Sequence, residues 1–213
     1  MPFDQAFWQE HYSNVLQTLI EIWSEAAWSG MMAVLDTMDQ AGMPSIDPAE
    51  VWITILAWIS DHVGEEAIGI WTTTMAAVEE AISLWDGEDE EALAALLDPI
   101  FSEYRAETIG LTEAILGVTI GNLLAWSAYG IIEEVIWVTA EDERVCPICR
   151  PLHETIISLE EAIYGYQRPP AHPRCRCWLE AILIIQNSQT LADALFKGKI
   201  TEVELEKICR VVV

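Results

Sequence analysis

Basic side chains are nearly missing from most of this chain: residues 1–143 hold one, Arg105, against 27 carboxylates. Nucleic acid is bound by Lys and Arg that displace counterions from phosphates, so this acidic stretch is not expected to touch DNA. Residues 144–213 hold eight acidic and nine basic side chains. Arg144, Arg150, Arg168, Arg174 and Arg176 are the one candidate basic patch, and they are expected to pair with the acidic half and with thiolates. Neither a G-x-G-x-x-G nor a G-x-x-x-x-G-K-[ST] phosphate loop occurs. His11 and His62 have no nucleophile readable beside them, which leaves no basis for nucleophilic catalysis. A zinc deaminase needs H-x-E and P-C-x-x-C. Both are absent: His62 precedes Val63-Gly64, His153 adjoins Glu154 directly, and Val145 precedes Cys146. No internal repeat or low-complexity tract appears.

Cysteine is also scarce, and its placement is informative. Of five cysteines, four fall in Cys146-Pro-Ile-Cys149 and His172-Pro-Arg-Cys175-Arg-Cys177, a C-x2-C-x22-H-x2-C-x-C spacing. Closing a tetrahedral site takes two short chelating pairs brought together by a loop, so metal binding, with zinc as a structural ion, is the favoured reading. Disulfides are not expected, because no signal-peptide pattern opens the sequence and a chain of this length can bury a core unaided. A redox dithiol needs a helix opening on Cys146-Pro-Ile-Cys149, and Pro151 follows with no helical pattern. Spacing leaves two ligand sets open: Cys146, Cys149, Cys175 and Cys177, which is preferred, or His172 in place of Cys175. Arg174 and Arg176 would offset the charge of a four-thiolate site. Cys209 reads as a buried hydrophobe.

Three segments carry a resemblance. They are Thr139-Ala-Glu-Asp-Glu-Arg-Val-Cys-Pro-Ile-Cys149 with Leu152-His153, Pro169-Pro-Ala-His-Pro-Arg-Cys-Arg-Cys177, and Arg105-Ala-Glu-Thr-Ile-Gly-Leu-Thr-Glu113 upstream. Together, over roughly residues 100–180, they resemble the Mu F-like phage head-morphogenesis proteins, also called minor capsid or minor head proteins. Glu154 stands where the family's turn usually has Gly, and Leu111 where its helix commonly has Arg. The resemblance implies work in capsid assembly, with the portal and other head proteins as partners and the virion, inside the capsid or at the portal, as location.

Periodicity predicts helices elsewhere. Asp4 to Ser29 carries Trp8, Val15, Leu19, Ile22, Trp23 and Ala26 at three- and four-residue spacings. Asp47-Pro48-Ala49-Glu50 opens a second helix to about His62, and Gly64 is expected to separate it from a third over Glu65 to Trp85. Glu88 to Leu97 reads as a short helix. Pro99 is expected to open a long one reaching Tyr129, where Gly130 can end it. Val135 to Thr139, Glu154 to Ser158 and Cys175 to Leu183 read as strands, Ser158-Leu-Glu-Glu161 as a capping box, and Ser188–Lys197 and Thr201–Arg210 as short helices. Ala114 to Ile132 is free of charge and about long enough to span a bilayer. Its Asn122 and Ser127 and its acidic flanks argue against insertion, and a buried central helix is preferred.

The expected fold class is therefore α+β: a mostly helical N-terminal region joined by a long helix to a small β-containing, zinc-stapled C-terminal domain. The expected division is 1–98, an acidic helical region; 99–185, the long helix with the Cys/His domain; and 186–213, short C-terminal helices. The expected function is structural and non-enzymatic, through protein–protein contacts that include possible homo-oligomers. The rivals are a thiol redox or zinc-dependent enzyme using Cys146-Pro-Ile-Cys149, and a membrane-associated interaction module. Most of the ten tryptophans are expected in the core, and exposed ones would mark docking sites.

Overall fold

The computed structural model describes residues 4–140 and 142–183. The helices expected at Ser188–Lys197 and Thr201–Arg210, and Cys209, lie outside the described residues. Among the described residues, four α-helices precede a small antiparallel sheet, which confirms the α+β class.

Helix α1 (Gln5–Gln40) begins where Asp4 accepts a hydrogen bond from the Phe7 amide at 2.9 Å. It does not stop near Ser29 as expected. Gly30 is no terminus, because its missing side chain makes room for α4: a Cβ there would lie 2.5 Å from the Val118 carbonyl oxygen. Beyond it Met31, Val34, Leu35 and Met38 are buried, and their burial holds the helix on. The true stop is Gly42, at φ 78°, where the amides of Gly42 and Met43 bond back to Asp39 and Met38 in a Schellman arrangement.

Helix α2 (Pro48–Leu84) has the expected start, with Asp47 accepting from the Ala49 amide at 2.9 Å. The expected break at Gly64 is absent, and one continuous helix replaces the two. A helix-interior Gly costs about 1 kcal/mol relative to Ala, and burial of Ile59, Val63 and Ala67 around Gly64 outweighs it. Helix α3 (Glu90–Leu97) is capped by Asp89. Helix α4 (Glu103–Tyr129) starts later than Pro99, because the Ser102 hydroxyl accepts from the Arg105 amide and so fixes the cap. Gly130, at φ 64°, closes it as expected.

Strands β1 (Ile132–Val138), β2 (Ile156–Ser158) and β3 (Trp178–Leu183) form an antiparallel sheet in the order β2-β1-β3. An irregularity between Ile132 and Glu134 shifts the pleat, so Ile132, Val135 and Trp137 are all buried although two of their spacings are unequal. Short helix α5 (Leu159–Tyr164) follows β2, with Ser158 accepting from the Glu161 amide as the capping box predicts.

One hydrophobic core runs from Leu19 on α1 to Leu179 on β3. Its spine is the contact of α1 with α4, which meet backbone to backbone at glycines. A Cβ on Gly121 would collide with the Ala27 carbonyl, and one on Gly117 would lie 2.7 Å from Ala26 Cβ. Helix α4 is long and apolar enough to cross a membrane by length and composition, and 44% of its most apolar window is buried inside the protein.

Candidate metal centre

The two cysteine pairs meet. Cys146 and Cys149 sit in the turn after β1, followed by a 3-10 turn over Arg150–Leu152, and no α-helix opens on them. His172, Cys175 and Cys177 lie on the loop entering β3. Two triads result, Cys146–Cys149–His172 and Cys149–Cys175–Cys177, each with ligand atoms within 4.8 Å of one another. Cys149 belongs to both. His172 Nε2 lies 3.1 Å from both Cys146 Sγ and Cys149 Sγ, and Cys149 Sγ lies 3.7 Å from Cys175 Sγ. With zinc–sulfur bonds near 2.3 Å, the edge of a tetrahedron is about 3.8 Å, so the sulfur separation suits a shared ion. All four cysteines are free thiols. These groups could hold a metal ion, and every sequence-predicted ligand is in the cluster.

The shell around the donors fits the same use. His172 Nδ1 lies 2.8 Å from the Pro173 carbonyl, a bond that puts the proton on Nδ1 and leaves the Nε2 lone pair facing the sulfurs. The Cys149 amide donates to Cys146 Sγ at 3.3 Å, and this bond is the main cause that brings the Cys146 thiol down to about 7. Burial pushes Cys149 and Cys177 upward instead. Buried thiols with raised pKa values are poor nucleophiles, and as thiolates they need a cation to offset desolvation.

The second pair is held in place by α4. Arg174, at φ 57°, donates its amide to Thr112 Oγ1 at 3.0 Å, its Nε to Thr108 Oγ1 at 2.8 Å and its Nη2 to Glu107 Oε2 at 2.6 Å. Its guanidinium also lies over the Tyr104 ring, 4.4 Å from the centroid. The Arg105–Glu113 segment and the His172–Cys177 loop are thus two halves of one clasp, a coupling that sequence reading missed. Only the periodic placement of Glu107, Thr108 and Thr112 on one helix face hints at it.

The other arginines are similarly engaged. Arg176 grips Asp142 through two bonds of 2.7 Å, which holds the Asp142 carboxyl well below the usual carboxylate range. Arg168 donates to the carbonyls of Ala162, Ile163 and Gly165 at the end of α5 and lies over Trp58 of α2. Turn residue Glu154 takes the left-handed conformation, φ 61°, that glycine favours. The turn therefore keeps the glycine-type shape despite the substitution. Its amide donates to the Trp137 carbonyl at 2.8 Å, extending the β1–β2 pairing.

Away from the sulfur cluster, one carboxylate lies in the core. Glu113 is buried, 5% exposed, and accepts a bond from Trp23 Nε1 at 2.8 Å. Burial, with Glu66 nearby, pushes its carboxyl up to about 7.

Comparison with known proteins adds one result. A family model described as Phage Mu protein F like protein matches residues 74–180, just over half of the chain. No curated protein and no solved structure matches. The matched span starts within α2, upstream of the resemblance read near residue 100, and takes in the α4 clasp and all five donors.

Proposed function

This chain belongs to the family of Phage Mu protein F like proteins, and from that membership we propose that it is a minor head protein that works in capsid assembly through protein–protein contacts. The family is one of structural head-morphogenesis proteins, so its members are virion-associated and meet other head proteins. The finer proposals are attachment at the portal or capsid interior and a structural zinc ion as the staple of a C-terminal module spanning residues 99–185.

The observation that carries the zinc proposal is the convergence of five nitrogen and sulfur donors from two segments more than twenty residues apart. A tetrahedral sulfur–nitrogen set suits zinc over hard cations. The proposed ligands are Cys146, Cys149, His172 and Cys175. His172 Nε2 faces two of the sulfurs, and Cys175 lies one tetrahedral edge from Cys149. Cys177, whose sulfur lies within 4.8 Å of those of Cys149 and Cys175, completes the alternative four-thiolate set in place of His172. Bound there, zinc would tie the β1 turn to the β3 loop and act through the fold, with no reaction of its own.

Elemental analysis of the purified chain should find one zinc, and chelation should abolish the cooperative melt of the C-terminal part. Cys175→Ser should lose the metal, whereas Cys177→Ser should keep it. A metal-free protein with a reversible Cys146–Cys149 disulfide would instead support the redox reading. Zinc retained in Cys175→Ser and lost in Cys177→Ser would restore Cys177 as a ligand.

A further inference from the structure

A cleft of about 670 Å³ opens between the first turns of α1 and the middle of α2. Trp8 and Tyr12 of α1 and Trp71 of α2 line it, with Ile68, 52% exposed, beside them and the exposed amides of Gln5 and Gln9 at its edge. The Trp71 ring meets Trp8 at 6.5 Å and 85° and Tyr12 at 6.2 Å and 79°, both edge-to-face contacts, so the rings stand crosswise around the cleft. The Trp71 indole N–H donates to the Trp8 carbonyl at 3.1 Å, which fixes its ring across the two helices.

The faces of Trp and Tyr rings attract cations, more strongly where water is partly excluded. Charge around the cleft has the same preference. Asp4, Glu10 and Glu65 are exposed within one helical turn of residues that line it, and neither α1 nor α2 contains a Lys or Arg. The single basic side chain of residues 1–143, Arg105, is engaged elsewhere, donating to Thr74 Oγ1 at 2.9 Å and to the Ile100 carbonyl at 3.2 Å. The acidic half therefore supplies no cation of its own to this cleft. Nucleic acid is repelled by the same field, and a second copy docking by this face would bring a matching set of carboxylates to it.

We propose that the cleft docks an arginine-bearing segment of a partner protein, with a guanidinium group among Trp8, Tyr12 and Trp71 and the neighbouring carboxylates drawing in the segment's other basic residues. Arginine is favoured over lysine because its planar, weakly hydrated head group stacks on aromatic rings. The side-chain oxygens of Gln5 and Gln9 can accept from guanidinium N–H groups that the rings leave unpaired.

The test titrates the full chain with a blocked alanine-rich helical peptide carrying arginine at every fourth position, and with its neutral citrulline counterpart, in about 0.15 M NaCl so that diffuse attraction is screened. The Trp71 indole N–H resonance should shift with the arginine peptide and hold still with the citrulline one. Ile68→Lys puts an ammonium at the cleft's exposed wall and should weaken binding about tenfold, the size of one partly desolvated cation–π contact. Ile53→Lys makes the same charge change at a 68% exposed position about 22 Å away along α2, and should leave the affinity within about twofold. Both positions are exposed, so neither variant disturbs the core. Equal weakening by the two variants would mean that the peptide follows net charge alone, and would overturn the proposal. Equal binding of the citrulline peptide, which would make the occupant an apolar one, or the absence of any Trp71 shift would overturn it as well.

Discussion

At the scale of single residues, Glu113 shows how a charge is kept inside this acidic protein. Its carboxyl accepts the Trp23 indole bond in the core, and burial moves its acidity from 4.5 to about 7. A folded-state value raised above the unfolded one means that the native state holds a proton which the unfolded chain releases. The favourable state is therefore complete below about pH 4.5 and is lost as pH rises through 7, at a cost on the order of 3 kcal/mol. Glu113→Gln keeps an oxygen for the indole and removes the titration. Urea unfolding should show the variant close to the parent near pH 4.5 and more stable at pH 8, with a flatter profile between. Equal pH slopes in the two proteins would mean that Glu113 is not the group responsible. Glu154 carries a different kind of strain, since a left-handed backbone suits glycine and disfavours a side chain. Glu154→Gly should raise stability by about 0.5–1 kcal/mol in the same assay, glycine's greater unfolded-state entropy offsetting part of the relief. The five sulfur and imidazole donors were legible in the sequence because soft ligands are rare and their spacing is restrictive. Glu113 was not, because one carboxylate among 35 Asp and Glu gives no sign of which face it occupies.

At the scale of elements, the glycines separate what sequence shows from what packing decides. Gly64 and Gly121 look alike as punctuation in helical patterns. Gly64 has nothing within 4 Å of a would-be Cβ, whereas Gly121 faces the Ala27 backbone directly. Gly64→Ala should therefore stabilise α2 by about 0.5–1 kcal/mol. Gly121→Ala should force α1 and α4 apart and destabilise by about 1–3 kcal/mol, a difference of sign that thermal melts of the two variants would read directly. The same distinction explains the helix ends. Asp47-Pro48 and Gly130 were legible because caps act within a few residues, while the continuation of α1 past Ser29 and of α2 past Gly64 depends on partners distant in sequence. The sheet was legible in its strands but not in its irregularity at Ile132 and Glu134, which depends on pairing with β3. The clasp between Arg174 and Glu107, Thr108 and Thr112 likewise joins positions more than sixty residues apart.

At the scale of the whole molecule, the dominant fact is a net charge of −25. Among the described residues, Arg144 and Arg176 pair with Asp142, and Arg174 with Glu107, contacts made by arginines on the C-terminal side of residue 143. The carboxylates of α1, α2 and α3 therefore repel one another through solvent. Compacting like charges costs free energy, and the unfolded chain relaxes that cost by spreading out. Screening shortens the range of the repulsion from about 30 Å at 0.01 M salt to about 8 Å at 0.15 M. Raising NaCl between those limits should thus stabilise the protein, by about 5 °C in melting temperature if 1–2 kcal/mol of repulsion is removed. A protein held together by surface ion pairs would respond in the opposite direction, since the same screening weakens attraction. Calorimetry at the two salt concentrations and fixed pH distinguishes the cases. A fall in melting temperature would mean that arginine–carboxylate pairing outweighs the carboxylate field.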